Sequence, residues 1–463
     1  MKIKINNLGP IQQASFDFDK KLSIFCGPNN TGKTYLSYVL YAFTRQQIDA
    51  FEESMTETQL NDFLIKRSFI LPVNPEAIYE AISKRQDRSM GDMATVFGIS
   101  DSVAQKLFAD FKMCLTTDKE SYVAYLKNRE LDFKISYKGN LLAKVTKKSG
   151  ELELLVENVS SQIDNKPESL KNELLTQVYK VLAFPVFFSH FFPVERNSLY
   201  TYYKDIMVNR SQMMEFLQRL ENGNRQAFLD YISRNSARYP AAISYTLDAA
   251  YKMSALSQDK GYYASLADDI EQEILEGKLS LTDDGDLKYT PNRVPDKEVP
   301  LYLSASITKS VSGLVYALRH VVGRYDMIFI DEPEVNCHPD AQILMARIFG
   351  KMVNAGIRLL ISTHSDYIIR EINNLIMLSA APKEMTKQLQ EWGYKEDMAL
   401  RPQVVGAYLF KYGNGENRVD VTPIEVNDSG FEVKTIDESI SKQNEISETL
   451  YYELKYGNDK QSS

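Results

Sequence analysis

A glycine-rich loop near the beginning of the chain has the residue types and spacing of a phosphate-binding site. Residues 27–34 fit the pattern G-x-x-x-x-G-K-[ST]. Gly27 and Gly32 would let the backbone curl so that successive N–H groups point at one anion. Lys33 would reach the β- and γ-phosphates of a nucleotide, and Thr34 would hold Mg²⁺. The candidate residues of this loop are Gly27, Asn29, Asn30, Thr31, Gly32, Lys33 and Thr34.

The elements on either side of the loop place it where such a motif works. An apolar run at 22–25 precedes it and predicts a strand, and residues 35–43 follow a helical pattern. The helix would add the positive end of its dipole to the loop. A short pattern can match by chance, but a strand before it and a helix after it favour phosphate binding.

A second candidate cluster follows an apolar run at 327–330. The run predicts a buried parallel strand, and it delivers Asp331 and Glu332 to the carboxyl end, where open α/β sheets bind ligands. Asp331 would hold Mg²⁺, and Glu332 would polarise an attacking water. The alternative is a solvated acidic turn, which the apolar run disfavours. Another apolar run, at 357–361, predicts a further core strand that leads to His364.

The composition is that of an ordinary soluble protein with room for two or three domains. Of 463 residues, 44% are apolar, and no run approaches the length of a membrane span. The three cysteines show no paired spacing, so neither a disulfide framework nor a zinc site is indicated. The net charge of −8 argues against a strongly basic nucleic-acid surface. We therefore expect a cytoplasmic protein without a membrane segment.

Changes in pattern along the chain predict a discontinuous α/β head with two helical insertions. Residues 1–45, 125–198 and 278–463 would form the head, and residues 46–124 and 199–277 the insertions. Alternating residues at 2–5 and 13–18 predict a β-meander that opens the head. Residues 133–156 would extend this lobe, and the aromatic run 183–188 would be a buried strand.

The second insertion interleaves tyrosines with arginines. Such a pattern suits a nucleic-acid face, since bases stack on aromatic rings and phosphates pair with arginine, but it is more often helix packing with a solvated edge. The arginines concerned are Arg210, Arg219, Arg225 and Arg234.

Taken in order, these motifs resemble the RecF/SMC-like, OLD-related branch of the ABC ATPases. The resemblance implies an ABC-type P-loop ATPase head with an N-terminal β-meander lobe, a mixed or parallel core sheet and helical insertions. It implies ATP and Mg²⁺ as cofactors, Lys33, Glu332 and His364 as catalytic residues, and Thr34 and Asp331 as metal ligands.

In this family a signature motif, L-S-G-G-Q, contacts the nucleotide held by another subunit. Leu303 and Ser304 match it, while Ala305 and Ser306 replace the glycines. A hydroxyl and free N–H groups at a helix N-terminus can still bind phosphate, although Ser304 could also be a plain N-cap. The resemblance thus implies nucleotide contacts from Ser304, Ser306 and Lys309, and a homo-oligomer of at least two chains that sandwich ATP.

The loop that senses the γ-phosphate through a glutamine in this family has no glutamine here. Glu195 and Arg196 are candidates to replace it, and a structural salt bridge is the alternative.

The resemblance is greatest to the ATPase subunit of two-gene anti-phage systems of the PARIS or Septu kind. It is carried by Ile-Asp-Glu-Pro-Glu at 330–334, His-Pro at 338–339 and Thr-His-Ser at 363–365. It implies an oligomeric sensor or scaffold that controls a separately encoded nuclease or toxin and responds to a phage protein. Two alternatives remain open: a RecF-like clamp that closes on DNA, and a stand-alone nuclease.

Overall fold

The computed structural model describes residues 1–45, 56–85, 93–137, 140–160, 167–202, 239–253, 260–282, 285–413 and 418–456. Arg210, Arg219, Arg225 and Arg234 lie outside these ranges, so the possible nucleic-acid face is not among the described residues. None of the helices within the described ranges combines the length and apolarity needed to cross a membrane.

Sixteen strands occur in the described residues. In chain order they are β1 Lys2–Leu8, β2 Ile11–Asp17, β3 Leu22–Cys26, β4 Ser68–Pro72, β5 Lys112–Leu115, β6 Leu131–Tyr137, β7 Asn140–Lys147, β8 Glu153–Asn158, β9 Ser189–Phe192, β10 Gly277–Leu281, β11 Leu287–Pro291, β12 Val299–Pro300, β13 Met327–Asp331, β14 Arg358–Thr363, β15 Val405–Tyr412 and β16 Val419–Ile424.

The helices of eight residues or more alternate with these strands. Their bounds are Lys33–Arg45, Pro75–Arg85, Asp101–Phe108, Lys119–Asn128, Pro167–Ala183, Ala241–Lys252, Ser306–His320, Pro339–Asn354, Asp366–Ser379 and Lys434–Tyr456. Shorter helical turns cover Glu57–Asn61, Asp62–Lys66, Met93–Phe97, Ala264–Ile270, Glu271–Leu275, Leu301–Leu303, Lys383–Met385, Thr386–Glu391, Glu396–Met398 and Pro402–Val404.

A nine-stranded sheet forms the centre of the structure. Its order is β5-β1-β2-β16-β15-β3-β14-β13-β9, and all pairs from β15 to β9 are parallel. Phe329 and Leu360 belong to the core on one face, and Ile328 and Leu359 to the core on the other. Because both faces are covered, the central strands read as continuous apolar runs. The predicted α/β fold with a mixed, largely parallel core sheet is confirmed.

The N-terminal lobe differs from the predicted meander. β1 and β2 form the expected hairpin, but β15 and β16 lie between β2 and β3. β3 is buried throughout and pairs in parallel with β14 and β15. The first strands therefore belong to the main sheet.

The β-rich stretch 133–156 does not extend this lobe, and that expectation is wrong. β6, β7 and β8 form a separate antiparallel sheet that β4 completes. The edge of the main sheet beside β1 is already occupied by β5. β4 and β5 both come from residues 46–124, so the first predicted helical insertion is only partly helical.

The aromatic run 183–188 is not a strand, and that prediction is wrong. A helix ends at Ala183, and the strand begins only at Ser189. Pro185 has no N–H to donate to a sheet, which disfavours a strand there. Phe184 and Phe187 are buried nonetheless, so the apolar character of the run reflects core packing.

Candidate nucleotide-binding site

The phosphate loop connects the end of β3 to the helix Lys33–Arg45, and two of its glycines have positive φ. Gly27 has φ +141°, and a Cβ there would lie 2.4 Å from the carbonyl oxygen of Phe410. Gly32 has φ +89° and packs against Ile11. Side chains rarely adopt these conformations, so both positions require glycine.

Lys33 folds back onto the loop that carries it. Its Nζ donates to the carbonyl oxygens of Gly27 and Pro28, at 2.9 Å each, and its side chain is buried. Burial lowers the pKa of Lys33, and the carboxylates of Glu332 and Asp331 oppose that shift. A buried ammonium with only two carbonyl acceptors can still donate a third hydrogen bond.

The loop residues also offer backbone donors. Within the described part of the chain, no backbone acceptor takes a hydrogen bond from the N–H of Gly32 or Lys33. Thr31 is buried, and its hydroxyl donates to the Pro28 carbonyl, at 2.8 Å, which braces the curl. Asn29 and Asn30 are exposed, and the Asn30 carbonyl accepts from the Tyr412 hydroxyl at 3.0 Å. The N–H groups of Gly32 and Lys33 are therefore available to donate to a phosphate chain.

The two predicted metal ligands are in direct contact. The Thr34 hydroxyl donates to Asp331 Oδ2 at 2.8 Å. The other carboxylate oxygen of Asp331 accepts from the Ser362 hydroxyl at the end of β14. Mg²⁺ prefers oxygen ligands and is usually held by one or two carboxylates with substrate phosphates, so this pair fits the ion.

Glu332 follows directly after β13 in a strained conformation. Its φ is +48°, and its N–H donates to the Ser362 carbonyl at 2.9 Å. Its side chain is 28% exposed. Burial raises the pKa of Glu332; Asp331 and Glu334 add to the shift, while His364 opposes it. A carboxylate with a raised pKa at a strand end is suited to proton transfer.

His364 lies between two carboxylates. Its Nδ1 is 3.8 Å from Glu332 Oε1 and 3.5 Å from Glu334 Oε1. Its backbone N–H and the Thr363 hydroxyl also donate to Glu334 Oε1, at 2.9 and 2.8 Å. The structure therefore brings the predicted catalytic residues Glu332 and His364 together and adds Glu334, which our reading of the motifs assigned no role.

Arg196 is buried, and its partners are carbonyl and hydroxyl oxygens, so the alternative of a structural salt bridge is wrong for this residue. Its guanidinium donates to the carbonyls of Asp331 and Glu332, at 2.7 and 2.8 Å. Glu195 beside it is exposed. No sequence signal predicted this role for Arg196, because its acceptors are main-chain atoms from distant parts of the chain.

The predicted signature residues lie apart from the phosphate loop. Ser304 is half-buried and donates to the Leu301 carbonyl, at 2.7 Å, and Ser306 is the exposed first residue of its helix. Lys309 is half-buried in the first turn. In the described part of the chain, no hydrogen bond or ion pair joins these three residues to residues 27–34.

A glycine-rich loop lies between a parallel strand and a helix, and Asp-Glu stands at the end of β13, which β14 separates from β3 in the sheet. This arrangement defines a P-loop ATPase fold. Residues 1–369 match the AAA ATPase domain family, so the chain belongs to that family.

Solved structures with a similar arrangement include SMC head domains. The head domain from Thermotoga maritima is 10% identical; the match covers 92% of this chain and 98% of the other, with a TM-score of 0.33. The Smc head domain from Pyrococcus furiosus, bound to the C-terminal domain of ScpA, is 7% identical; that match covers 96% and 98%, with a TM-score of 0.35. These scores are low, and the family assignment rests on the sequence match. No curated protein matches the chain.

Proposed function

We propose that the chain binds ATP with Mg²⁺ and hydrolyses it to ADP and phosphate. The observation that carries this proposal is the meeting of two pairs at the carboxyl end of the sheet: Thr34 with Asp331, and Glu332 with His364. Nucleotide hydrolysis requires side chains that bind a metal ion, a residue that orients the attacking water and a hydrogen-bond donor to the phosphate.

Each side chain has a distinct task in this reaction. Lys33 donates its third hydrogen bond to the outer phosphates. Thr34 and Asp331 would hold Mg²⁺, and the ion would neutralise charge on the phosphates. Glu332 accepts a proton from water, and its raised pKa makes it a stronger base. His364 donates to the γ-phosphate.

A second copy of the chain completes the site. The helix Ser306–His320 has Ala305 at its N-cap position and no side-chain cap, so its first N–H groups are available to an anion. Beside it, Tyr302 and Leu303 are 57% and 67% exposed. An apolar pair next to an uncapped helix N-terminus fits a surface that a partner chain covers when ATP lies between the two.

ATP binding and assembly test this proposal directly. We expect Lys33→Ala to abolish ATP binding in calorimetry and Glu332→Gln to retain bound ATP and sediment as a dimer or larger. Lys387→Ala, at an exposed lysine on a short helix, is the matched control and should bind as the wild type does. ATP hydrolysis that survives Lys33→Ala, or a chain that stays monomeric with ATP, contradicts the proposal.

We further propose that the oligomer is a sensor or scaffold in bacterial anti-phage defence and controls a separately encoded nuclease or toxin. The support is the resemblance in the motifs at 330–334, 338–339 and 363–365. Co-expression with the neighbouring gene should give a complex that co-purifies and protects cells in a phage plating assay. Protection should be lost with Lys33→Ala. Protection that is independent of the neighbouring gene would refute this role.

A further inference from the structure

A buried arginine joins the helix that begins at Ser306 to the end of strand β13. Arg196 is 3% exposed. Its Nε donates to the carbonyl and the hydroxyl of Ser310, at 3.2 and 3.1 Å. Its two terminal nitrogens donate to the carbonyls of Asp331 and Glu332, at 2.7 and 2.8 Å, and Nη1 also donates to the Pro193 carbonyl at 3.1 Å. All three nitrogens of the guanidinium are therefore used.

This arrangement is not explained by stability alone. Burying a guanidinium costs free energy, and apolar side chains of similar volume often replace buried charges without loss. Burial lowers the pKa of Arg196, although the nearby carboxylates oppose the shift. What a guanidinium provides and an apolar side chain does not is a rigid fork that fixes several acceptors at once.

The fork holds the backbone of Glu332 where that backbone is strained. A non-glycine residue at φ +48° persists only when its surroundings fix it, and such strain clusters at functional sites. The Ser362 carbonyl holds the N–H of Glu332, and Arg196 holds its carbonyl. The direction of the Glu332 side chain is thus set from both sides of the residue.

The other arm of the fork reaches the helix Ser306–His320. Ser310 is buried, and its hydroxyl also donates to the Val335 carbonyl, at 3.3 Å. The helix is thereby tied to both ends of the segment 331–335. Because the N-terminus of this helix is the surface proposed to meet the nucleotide of a second copy, any movement there acts on Glu332 through these bonds.

We infer that Arg196 is a positioning residue that couples docking of the helix Ser306–His320 to the orientation of Glu332. The inference rests on the proposed function, because it assigns the coupling to the ATP site shared by two chains. Arg196 touches no substrate in this scheme. It acts through the main chain of Asp331 and Glu332.

Arg196→Lys tests the coupling, because lysine keeps the charge but not the fork. We expect kcat for ATP hydrolysis to fall at least tenfold while the KM for ATP stays within threefold and ATP-dependent dimers still form. Arg358→Lys is the matched control. Arg358 is a half-buried arginine whose partners are also main-chain carbonyls, those of Phe18, Lys20 and Pro185, at the opposite end of the sheet. Its variant should lower the melting temperature and leave kcat unchanged.

The link to the helix is tested separately at Ser310. Ser310→Ala should lower kcat without changing the KM, and its effect should not add to that of Arg196→Lys, because both break one connection. Ser312→Ala is the control: its buried hydroxyl donates to Lys309 in its own helix, so kcat should not change. Guanidinium ion should restore part of the activity of Arg196→Ala and none of that of Ser310→Ala.

Each outcome decides between the alternatives. Unchanged kcat in Arg196→Lys, or an equal loss in Arg358→Lys, overturns the inference while the ATPase assignment stands. Fully additive effects of the Arg196 and Ser310 variants overturn the coupling. Absence of ATP hydrolysis by the wild-type chain overturns the proposed function and the inference with it.

Discussion

Replacing Glu332 by glutamine removes the proposed base and leaves its supports in place. The main-chain bonds of this residue, from its N–H to Ser362 and from Arg196 to its carbonyl, do not involve the side chain. Glutamine has the same shape, so the variant loses only the charge and the basic oxygen. A positioned general base contributes about 10²–10⁴-fold to a rate, which corresponds to roughly 3–5.5 kcal/mol of barrier. We expect hydrolysis to fall by that factor.

The same substitution should favour the ATP-bound state and the folded state. The carboxylate of Glu332 is partly buried near Asp331 and Glu334, which raises its pKa. A raised pKa in the folded state means that the stability contributed by this group is present below the ordinary glutamate pKa and is lost as pH rises through the folded value. Above the folded pKa the charged carboxylate therefore disfavours folding, and Glu332→Gln should melt there at an equal or higher temperature than the wild type.

The pH profile gives an independent check. Catalysis needs the unprotonated carboxylate, so the wild-type rate should fall as pH drops through the raised pKa of Glu332, above the usual range of a glutamate. The residual rate of Glu332→Gln should lack this limb. Single-turnover hydrolysis of ATP across pH 5–9 measures the pH dependence of the wild-type rate and of the residual rate of Glu332→Gln. Glu391→Gln, at an exposed glutamate, is the control. A Glu332→Gln chain that hydrolyses ATP at the wild-type rate would refute the assignment.

Two further substitutions test contacts of the phosphate loop, and a third tests a buried ion pair elsewhere in the fold. Gly27→Ala should lower the free energy of unfolding by about 2–4 kcal/mol and abolish ATP binding, because the new Cβ would meet the Phe410 carbonyl. Gly150→Ala is the control: Gly150 also has a positive φ but nothing lies within 4 Å of its Cβ position, so the loss in urea unfolding should be only about 1 kcal/mol. Tyr412→Phe removes the hydrogen bond to the Asn30 carbonyl and should weaken ATP binding by roughly 3–10-fold in calorimetry. Tyr451→Phe, on the exposed C-terminal helix, should leave ATP affinity unchanged, and equal affinities of the two variants would contradict a role for Tyr412. Lys351→Met leaves Asp269 and Glu273 without their buried partner and should lower the free energy of unfolding in urea by about 2 kcal/mol. Lys252→Met breaks an exposed ion pair and should lower it by less than about 0.5 kcal/mol. Equal losses would show that the burial of Lys351 does not increase the contribution of its ion pairs to stability.

The parts that could be predicted from the sequence are those whose cause is local. The glycine spacing of the phosphate loop reports its own backbone geometry, and the apolar run before Asp331 reports a strand buried on both faces. Pairing partners are not local. β3 pairs with β15, which lies more than 370 residues away in the chain, and no periodicity specifies that choice. The role of Arg196 could not be predicted from the sequence either, because its hydrogen-bond acceptors come from three separate elements.

The position of β15 changes the explanation of the phosphate loop itself. Gly27 is required by the curl of the loop and also by the carbonyl of Phe410, a residue of β15. Tyr412, at the end of the same strand, holds the Asn30 carbonyl from the other side. The family match ends at residue 369, so the strand that completes the loop lies beyond it. The shape of the phosphate loop therefore depends on contacts with β15 as well as on the sequence of the loop itself.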